Sequence, residues 1–325
     1  MGGDMERYQR QMMLPEVGED GQRKLRNARV VVVGAGGLSA TLLPQLVGAG
    51  VGHIRLYDDD EVALHNLHRQ TLFTLQDIGQ PKVLSAQQAL QQRNPEVQID
   101  ALQQSLSASN MQQALAQCDL VIDAADNFAV TYQLSDACML AGIPLISASV
   151  LRRQGYVGGF CGGSPSYRAV FPRLPTSAAD CNTAGVMGPA VAALGAMQAQ
   201  MALSVLLELQ PSPLGCLVNC DFVNWHFRPF RFDQAEEPQQ AVPFIDRPLL
   251  AADDCIVELR SHEEAPVSVA EGVERILPQA IATWQPPTQQ RIVLVCASGI
   301  RAAQAAAVLA QRGFNQLAIL AANRP

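Results

Sequence analysis

The sequence has no basic stripe, no Cys-x-x-Cys pair and no leader-like opening. Lys and Arg number 23 against 30 Asp and Glu, a net charge of −7 with the cations scattered. That distribution excludes a function resting on a broad nucleic-acid surface and leaves only a local basic site for an anionic ligand. The opening Met-Gly-Gly-Asp-Met-Glu-Arg-Tyr lacks an apolar signal region, and Glu6 stands where myristoylation needs Ser or Thr. The most apolar stretch, 185–209, is broken by Gln198, Gln200 and Glu208 and predicts a buried helix, with no membrane span. The eight cysteines have no paired spacing, which predicts reduced thiols in a cytoplasmic protein. Aromatic residues are only 5% of the chain, but 48% is apolar, enough for a sizeable core.

The 325 residues suggest two domains. Arg29 to Val33 is a short β-branched run that ends in Gly34-Ala35-Gly36-Gly37-Leu38-Ser39. A helical pattern follows to about Val47, Gly50 and Gly52 close it, and a second strand from His53 to Tyr57 ends at Asp58-Asp59-Asp60. A helix is expected over 81–93, with buried strands over 120–124 and 144–148. Alternating strands and helices argue an α/β fold, a Rossmann-like unit with a mainly parallel sheet covered on both faces. From Gly158 to Thr183 the pattern reads as a long loop, functional or mobile. Leu217 to Phe232 reads as two antiparallel strands, 234–248 as a linker, and 249–325 as a second, smaller α/β domain.

The glycine turn opens a helix, whose N–H groups and dipole favour an anion, and Asp58 stands where an acid would hold a ribose hydroxyl. By itself this fingerprint suits NAD or FAD equally well, and its third glycine is replaced by Ser39. Asn66-Leu67-His68-Arg69-Gln70 and Gln80-Pro81-Lys82 then add two cations, and Asp123 and Asp126-Asn127 follow the next strand. Nucleotidyl transfer uses such a set: cations offset triphosphate charge, and a carboxylate holds Mg²⁺.

Arg7-Tyr8-x-Arg10-Gln11, the glycine turn, Asp58-Asp59-Asp60, Asn66-Leu-x-Arg69-Gln70, Gln80-Pro81-Lys82, Ala125-Asp126-Asn127 and Cys181-Asn-Thr-Ala-Gly-Val-Met-Gly-Pro189 occur in that order. Over about residues 5–232 this resembles the ubiquitin-activating-enzyme-like adenylyltransferases of the thiamine and molybdopterin pathways, with 58–77 and the Cys181 run nearer the thiamine member. The resemblance implies a 1–233 ATP-dependent adenylating domain. Gly34, Gly36 and Gly37 would admit the nucleotide, and Asp58 would bind its ribose. Asn66, Arg69 and Lys82, with Gln70 and Asn127 beside them, would hold the triphosphate, and Asp126 would hold Mg²⁺. Arg10 would reach the partner's nucleotide in a homodimer. The substrate would be a ubiquitin-like sulfur-carrier protein ending in Gly-Gly.

The resemblance also implies a zinc held by two Cys-x-x-Cys pairs, but the first pair is Ser166-Tyr167-Arg168-Ala169 here and none follows Phe232. No structural zinc is expected, and something else must hold the ends of the long loop. Cys181, just before a helix, is a candidate transfer cysteine. In the last domain Cys296-Ala-Ser298-Gly299-Ile-Arg301 forms a turn between strand and helix. Four residues between Cys and Arg resemble the persulfide-cradling loop of the rhodanese sulfurtransferases, with Glu258-Leu-Arg260 and Leu277-Pro278-Gln279-Ala280 as further landmarks. Ile276 and Gln279 depart from that pattern, and the chain ends at Pro325 soon after its last strand, so the domain is expected to be eroded outside its cysteine loop. The resemblance further implies a cysteine desulfurase or other persulfide donor as partner. Two other readings remain at this point: an NAD-dependent oxidoreductase on the same glycine turn, and an inactive scaffold of the same fold.

Overall fold

A computed structural model describes residues 6–174, 185–287 and 289–322. These fall into two compact units, one built from Met1–Leu106, Gln113–Val170 and Ala179–Glu236, the other from Ser107–Gln112, Phe171–Ala178 and Glu237–Pro325.

The first unit contains strands β1 (Arg29–Val33), β2 (His53–Tyr57), β3 (Gln98–Leu102), β4 (Leu120–Asp123), β5 (Pro144–Leu151), β6 (Gln154–Cys161), β7 (Cys216–Asp221) and β8 (His226–Arg231). Its main helices are α1 (Gly18–Asn27), α2 (Gly37–Ala49), α3 (Lys82–Gln91), α4 (Phe128–Ala141) and α5 (Gly188–Leu206). The strands form one sheet in the order β3-β2-β1-β4-β5-β6-β7-β8. It is parallel as far as β5 and antiparallel beyond. Buried on both faces, β1 reads as an unbroken valine run. In register, Val33 lies beside Tyr57 and Asp123, so the three chains leave the sheet at one edge. That edge carries most of the candidate site residues.

By length and composition α5 could cross a membrane. It packs on α2 and on β5 and β6, burying Val191, Leu194, Gly195, Gln198 and Ala199. A side chain at Gly195 would meet the Leu38 carbonyl at 2.4 Å, so the two helices need glycine where they cross. Ala196 and Gln200 are exposed, so the helix expected to be buried presents one face to the core and one to solvent.

Two further expectations change. The stretch read as loop from Gly158 opens inside β6, and only residues beyond Cys161 leave the sheet. Glycine is there for closeness: a side chain at Gly159 would stand 2.7 Å from the Pro213 carbonyl. The span read as linker, 234–248, contains a buried strand, β9 (Phe244–Ile245). In the second unit β9 joins β10 (Cys255–Glu258), β11 (Glu274–Arg275), β12 (Ile292–Cys296) and β13 (Leu317–Ala321) in a parallel sheet ordered β11-β10-β12-β13-β9. Helix α6 (Ile300–Gln311) lies on β12 and β13.

At Ser166–Ala169, where the family pattern has its first cysteine pair, the side chains make a different clamp. Arg168 grips Asp136 of α4 through two parallel bonds, Nε to Oδ1 at 2.5 Å and Nη2 to Oδ2 at 2.8 Å. Its guanidinium lies 4.8 Å from the Tyr132 ring centroid. Tyr167 donates its N–H to Ser135 Oγ, and its hydroxyl lies 2.6 Å from that of Tyr156. Its ring meets Tyr132 and Phe160 edge-on, and Phe160 stacks on Phe232 at 5.2 Å. A bidentate pair over an aromatic face is an arrangement that Arg suits and Lys does not. Removing Arg168 leaves Asp136 without its fork, so Arg168→Met is expected to cost about 2 kcal/mol in urea unfolding at neutral pH. A loss under about 0.5 kcal/mol, the scale of an ordinary surface pair, would show that the clamp does not hold this segment.

Candidate functional site

The glycine turn is fixed from below. Gly34 N–H donates to the Tyr57 carbonyl at 2.8 Å. The residue has φ +97°, and a side chain there would stand 2.6 Å from the Ala124 carbonyl. Only glycine fits both demands. Ser39, in the position of the third fingerprint glycine, donates its hydroxyl to the Gly34 carbonyl and so braces the turn. Gly36 caps α2, and Gly37 lies against Val191 and the Arg69 side chain.

Asp58 joins this turn to the next strand. Its Oδ2 accepts the Ala35 N–H at 2.7 Å, and its Oδ1 accepts the Asp60 N–H at 2.8 Å. Burial pushes the Asp58 carboxyl up, against the opposing pull of the Lys82 charge and the two N–H donors. Asp60 in turn holds Lys82 twice: Nζ lies 2.8 Å from Asp60 Oδ2, and the Lys82 N–H donates to the Asp60 carbonyl at 3.0 Å. Lys82 opens α3 and is only 6% exposed, so it is no solvated surface charge.

Asn66 and Gln70 are buried beside Arg69 in one tight turn, where Gln70 N–H and Arg69 N–H both donate to the Asn66 carbonyl. Among the described residues Gln70 Oε1 is buried and lacks a hydrogen-bond partner, while its amide faces the open side of Gly36. Arg69 is half-buried, with Nη1 2.8 Å from His68 Nε2. The oxygens of Asp58, Asp59 and Asp60 lie within 4.8 Å of one another. That trio is already engaged by the two amides, the Ser105 hydroxyl and the Lys82 ammonium.

The third wall comes from β4. Asp126 is exposed, and Asn127 caps α4 by accepting the Ala129 N–H at 2.9 Å. Behind them Asp123 is fully buried. Its Oδ2 accepts the hydroxyls of Thr131 (2.6 Å) and Ser147 (2.8 Å), its Oδ1 the Ala125 N–H (3.2 Å), and its carbonyl the Gln198 amide (2.7 Å). Burial pushes its carboxyl up to about 6 despite these donors. Thr131 and Ser147 were not among the residues named from sequence, Asp60 was named only as part of the acidic run and Gln198 only as a polar break in an apolar stretch, since the partner of each is set by the fold.

The structure thus gathers Gly34, Gly36, Gly37, Asp58, Asn66, Arg69, Gln70, Lys82, Asp126 and Asn127 at one edge of the sheet. Arg10 is not joined to them: it is exposed on the turn Gln9–Met12, with Nη1 3.9 Å from Met13 Sδ. Cys181 lies outside the described residues. In the second unit Cys296 ends β12, completely buried, and its Sγ accepts the N–H groups of Gly299 (3.1 Å) and Ala302 (3.4 Å). This is a small anion nest. Arg301 pairs with Glu264, and Arg260 pairs with fully buried Glu258. Ser298 lies between Cys296 and the α6 cap at Gly299.

A family model described as ThiF family matches residues 8–242. Over 233 residues the chain is 42% identical to a sulfur carrier protein adenylyltransferase of Thermus thermophilus, covering 69% of this chain and 86% of that protein. It is 40% identical over 217 residues to the sulfur carrier protein ThiS adenylyltransferase of Escherichia coli, covering 65% and 85%. It is 42% identical over 207 residues to the adenylyltransferase and sulfurtransferase MOCS3 of Culex quinquefasciatus, spanning about half (47%) of that longer protein. Among solved structures, E. coli MccB with ATP superposes with a TM-score of 0.62 at 21% identity, over 72% of this chain and 73% of that one, a likeness of fold.

Asp123 makes a pH-dependent contribution to stability. Its carboxyl titrates near 3.9 in an unfolded chain and at about 6 in the fold. Because the folded value is the higher one, the stability it contributes is complete below the unfolded value and is lost as pH rises through about 6. The full loss is about 3 kcal/mol. Asp123→Asn removes this titration, so the variant should gain on the wild type by about 1 kcal/mol between pH 5 and pH 7.5 in urea unfolding. A difference that stays flat across that range would contradict the assignment.

Proposed function

The chain belongs to the ThiF family, and on that premise we propose that it adenylylates the C-terminal glycine of a ubiquitin-like sulfur-carrier protein. The product would be primed for thiocarboxylate formation, with thiamine thiazole biosynthesis as the pathway. The observation that carries this reading is Lys82, a buried cation tethered by Asp60 beside the glycine turn. Hydride transfer gives such a cation no task, whereas a triphosphate does. The relatives' names support the same chemistry. The MOCS3 relative favours a second carrier, the small subunit of molybdopterin synthase, with the reaction unchanged.

The residues fit ATP. The open side of Gly36 and the orphaned Gln70 Oε1 leave both space and an unmet acceptor at the turn. The α2 N-terminus with Arg69 and Lys82 would take phosphate charge, and Asp58 would meet the ribose. Asp126 would hold Mg²⁺, which when bound offsets charge on the phosphates. The carrier's carboxylate is ionised at neutral pH and needs no base. Its oxygen forms the new bond to the α-phosphorus while the bond to pyrophosphate breaks, so catalysis rests on positioning and on charge already in place.

We assign the second unit a rhodanese-like role. A persulfide on Cys296, loaded by a cysteine desulfurase or another persulfide donor, would attack the acyl-adenylate carbonyl; a C–S bond forms and AMP leaves, giving an acyl disulfide. A second thiol that forms a disulfide with the Cys296 sulfur would then release the carrier thiocarboxylate. The nest around Cys296 Sγ supports an anionic sulfur there. Cys181 is proposed as a transfer cysteine, and the assembly as a cytoplasmic homodimer in which Arg10 reaches the partner's nucleotide.

ATP–pyrophosphate exchange tests this reading with purified protein, Mg²⁺ and candidate carriers ending in Gly-Gly. Exchange should depend on one carrier and fall about 100-fold in Arg69→Ala and Asp126→Ala, while Cys296→Ala keeps exchange and loses sulfur transfer. Tight NAD binding without ATP binding would overturn the assignment. Thiocarboxylate made at the wild-type rate by Cys296→Ala would overturn the sulfur-transfer step alone.

A further inference from the structure

Asp123 makes more contacts than a strand-end residue needs. Its side chain and carbonyl receive donors from α4 (Thr131), β5 (Ser147), α5 (Gln198) and the chain just ahead (Ala125 N–H). The segment it controls is short. Ala124 N–H donates to the Val33 carbonyl, and the Ala124 carbonyl lies against Gly34. Asn127 is fixed at the far end by capping α4. Between these two anchors, the bond from Ala125 N–H to Asp123 Oδ1 holds the Ala124–Ala125 peptide, one residue short of Asp126. The Asp123 carboxylate therefore references the Asp126 loop to one strand and one helix, while α5 holds the Asp123 carbonyl.

We propose that Asp123 is a positioning residue: by hydrogen bonding, it fixes the 124–127 segment so that Asp126 stands at the mouth of the glycine turn. The inference rests on the adenylylation reading for the role of Asp126 but concerns a residue behind it that does not touch nucleotide. The contribution is one of geometry. Asn at 123 can still accept the Ala125 N–H, and the Thr131 hydroxyl already has a second acceptor, the Asn127 carbonyl at 3.4 Å. Ala at 123 can do neither, and leaves two buried hydroxyls and an amide to find other partners. Partners that orient a metal-holding carboxylate weaken metal affinity by about 10- to 100-fold when removed.

The test uses the full-length protein, Mn²⁺ as an electron-paramagnetic-resonance probe together with a non-hydrolysable ATP analogue, and hydrogen–deuterium exchange over 124–127. Asp123→Ala should bind Mn²⁺ about tenfold more weakly and exchange its 124–127 amides faster, while metal-free affinity for the analogue stays within about twofold. Asp123→Asn should restore both readouts to within about twofold of wild type. If Asp123→Ala does not fold, Thr131→Val removes one of the three donors and should shift Mn²⁺ binding the same way, by about threefold. A folded Asp123→Ala or Thr131→Val that binds Mn²⁺ like wild type, or an Asn variant as impaired as Ala, overturns the proposal. The wild type separates the two readings. If it binds no Mn²⁺ with the analogue, the adenylylation reading fails and the inference falls with it; if it binds and the variants do not differ, the inference alone fails.

Discussion

The site depends on one half-buried carboxylate spanning two strands. Asp58 accepts an N–H from the glycine turn after β1 and another from Asp60 after β2, so the turn and the acidic end move together. Asp60 then passes that placement to Lys82 through its side chain and its carbonyl. Hydrogen bonds to a charged acceptor contribute about 1.5–3 kcal/mol each, enough to hold a turn whose glycines cost backbone entropy. Burial opposes the charge on Asp58, and the nearby ammonium offsets that opposition. The same contacts that fix the fold at this edge therefore place a cation where a phosphate would need one.

What could be read from the sequence was what is local. The glycine turn, Asp58, Arg69 and Lys82 stand within short motifs that carry their own geometry. The valine run of β1 and the strand-turn-helix order placed those motifs at one sheet edge. What could not be read depends on tertiary partners. Nothing near Lys82 in the chain says that Asp60, 22 residues earlier, anchors it. Asp123 draws its donors from three separate elements, so its role emerges only when they are folded together. Gly158 and Gly159 suggested loop because glycine in a strand signals close backbone approach, and the approaching segment lies more than fifty residues on. Strand β9 is two residues long and follows Pro243 after a polar run, a pattern with no strand signal of its own.

The clamp at Ser166–Ala169 illustrates a different kind of replacement. Two cysteines of the family pattern are absent, and the segment is held by a bidentate Arg168–Asp136 pair and a cluster of five aromatic rings, Tyr132, Tyr156, Tyr167, Phe160 and Phe232. A metal gives a few strong bonds, and this cluster spreads the same task over packing, two parallel hydrogen bonds and a cation over a ring. In each unit backbone N–H groups converge at the start of a helix. At α2 they follow a glycine turn, and at α6 they surround Cys296. Both arrangements suit an anion in a chain whose overall charge is negative.

The most direct measurement is intact-mass spectrometry of a candidate carrier ending in Gly-Gly after incubation with ATP, Mg²⁺ and this protein. The account predicts a carrier heavier by one adenylyl group, with the addition mapping to the terminal glycine and absent when Asp126 is replaced by Ala. An unmodified carrier across all candidates, from protein shown to be folded and to bind ATP, would contradict it.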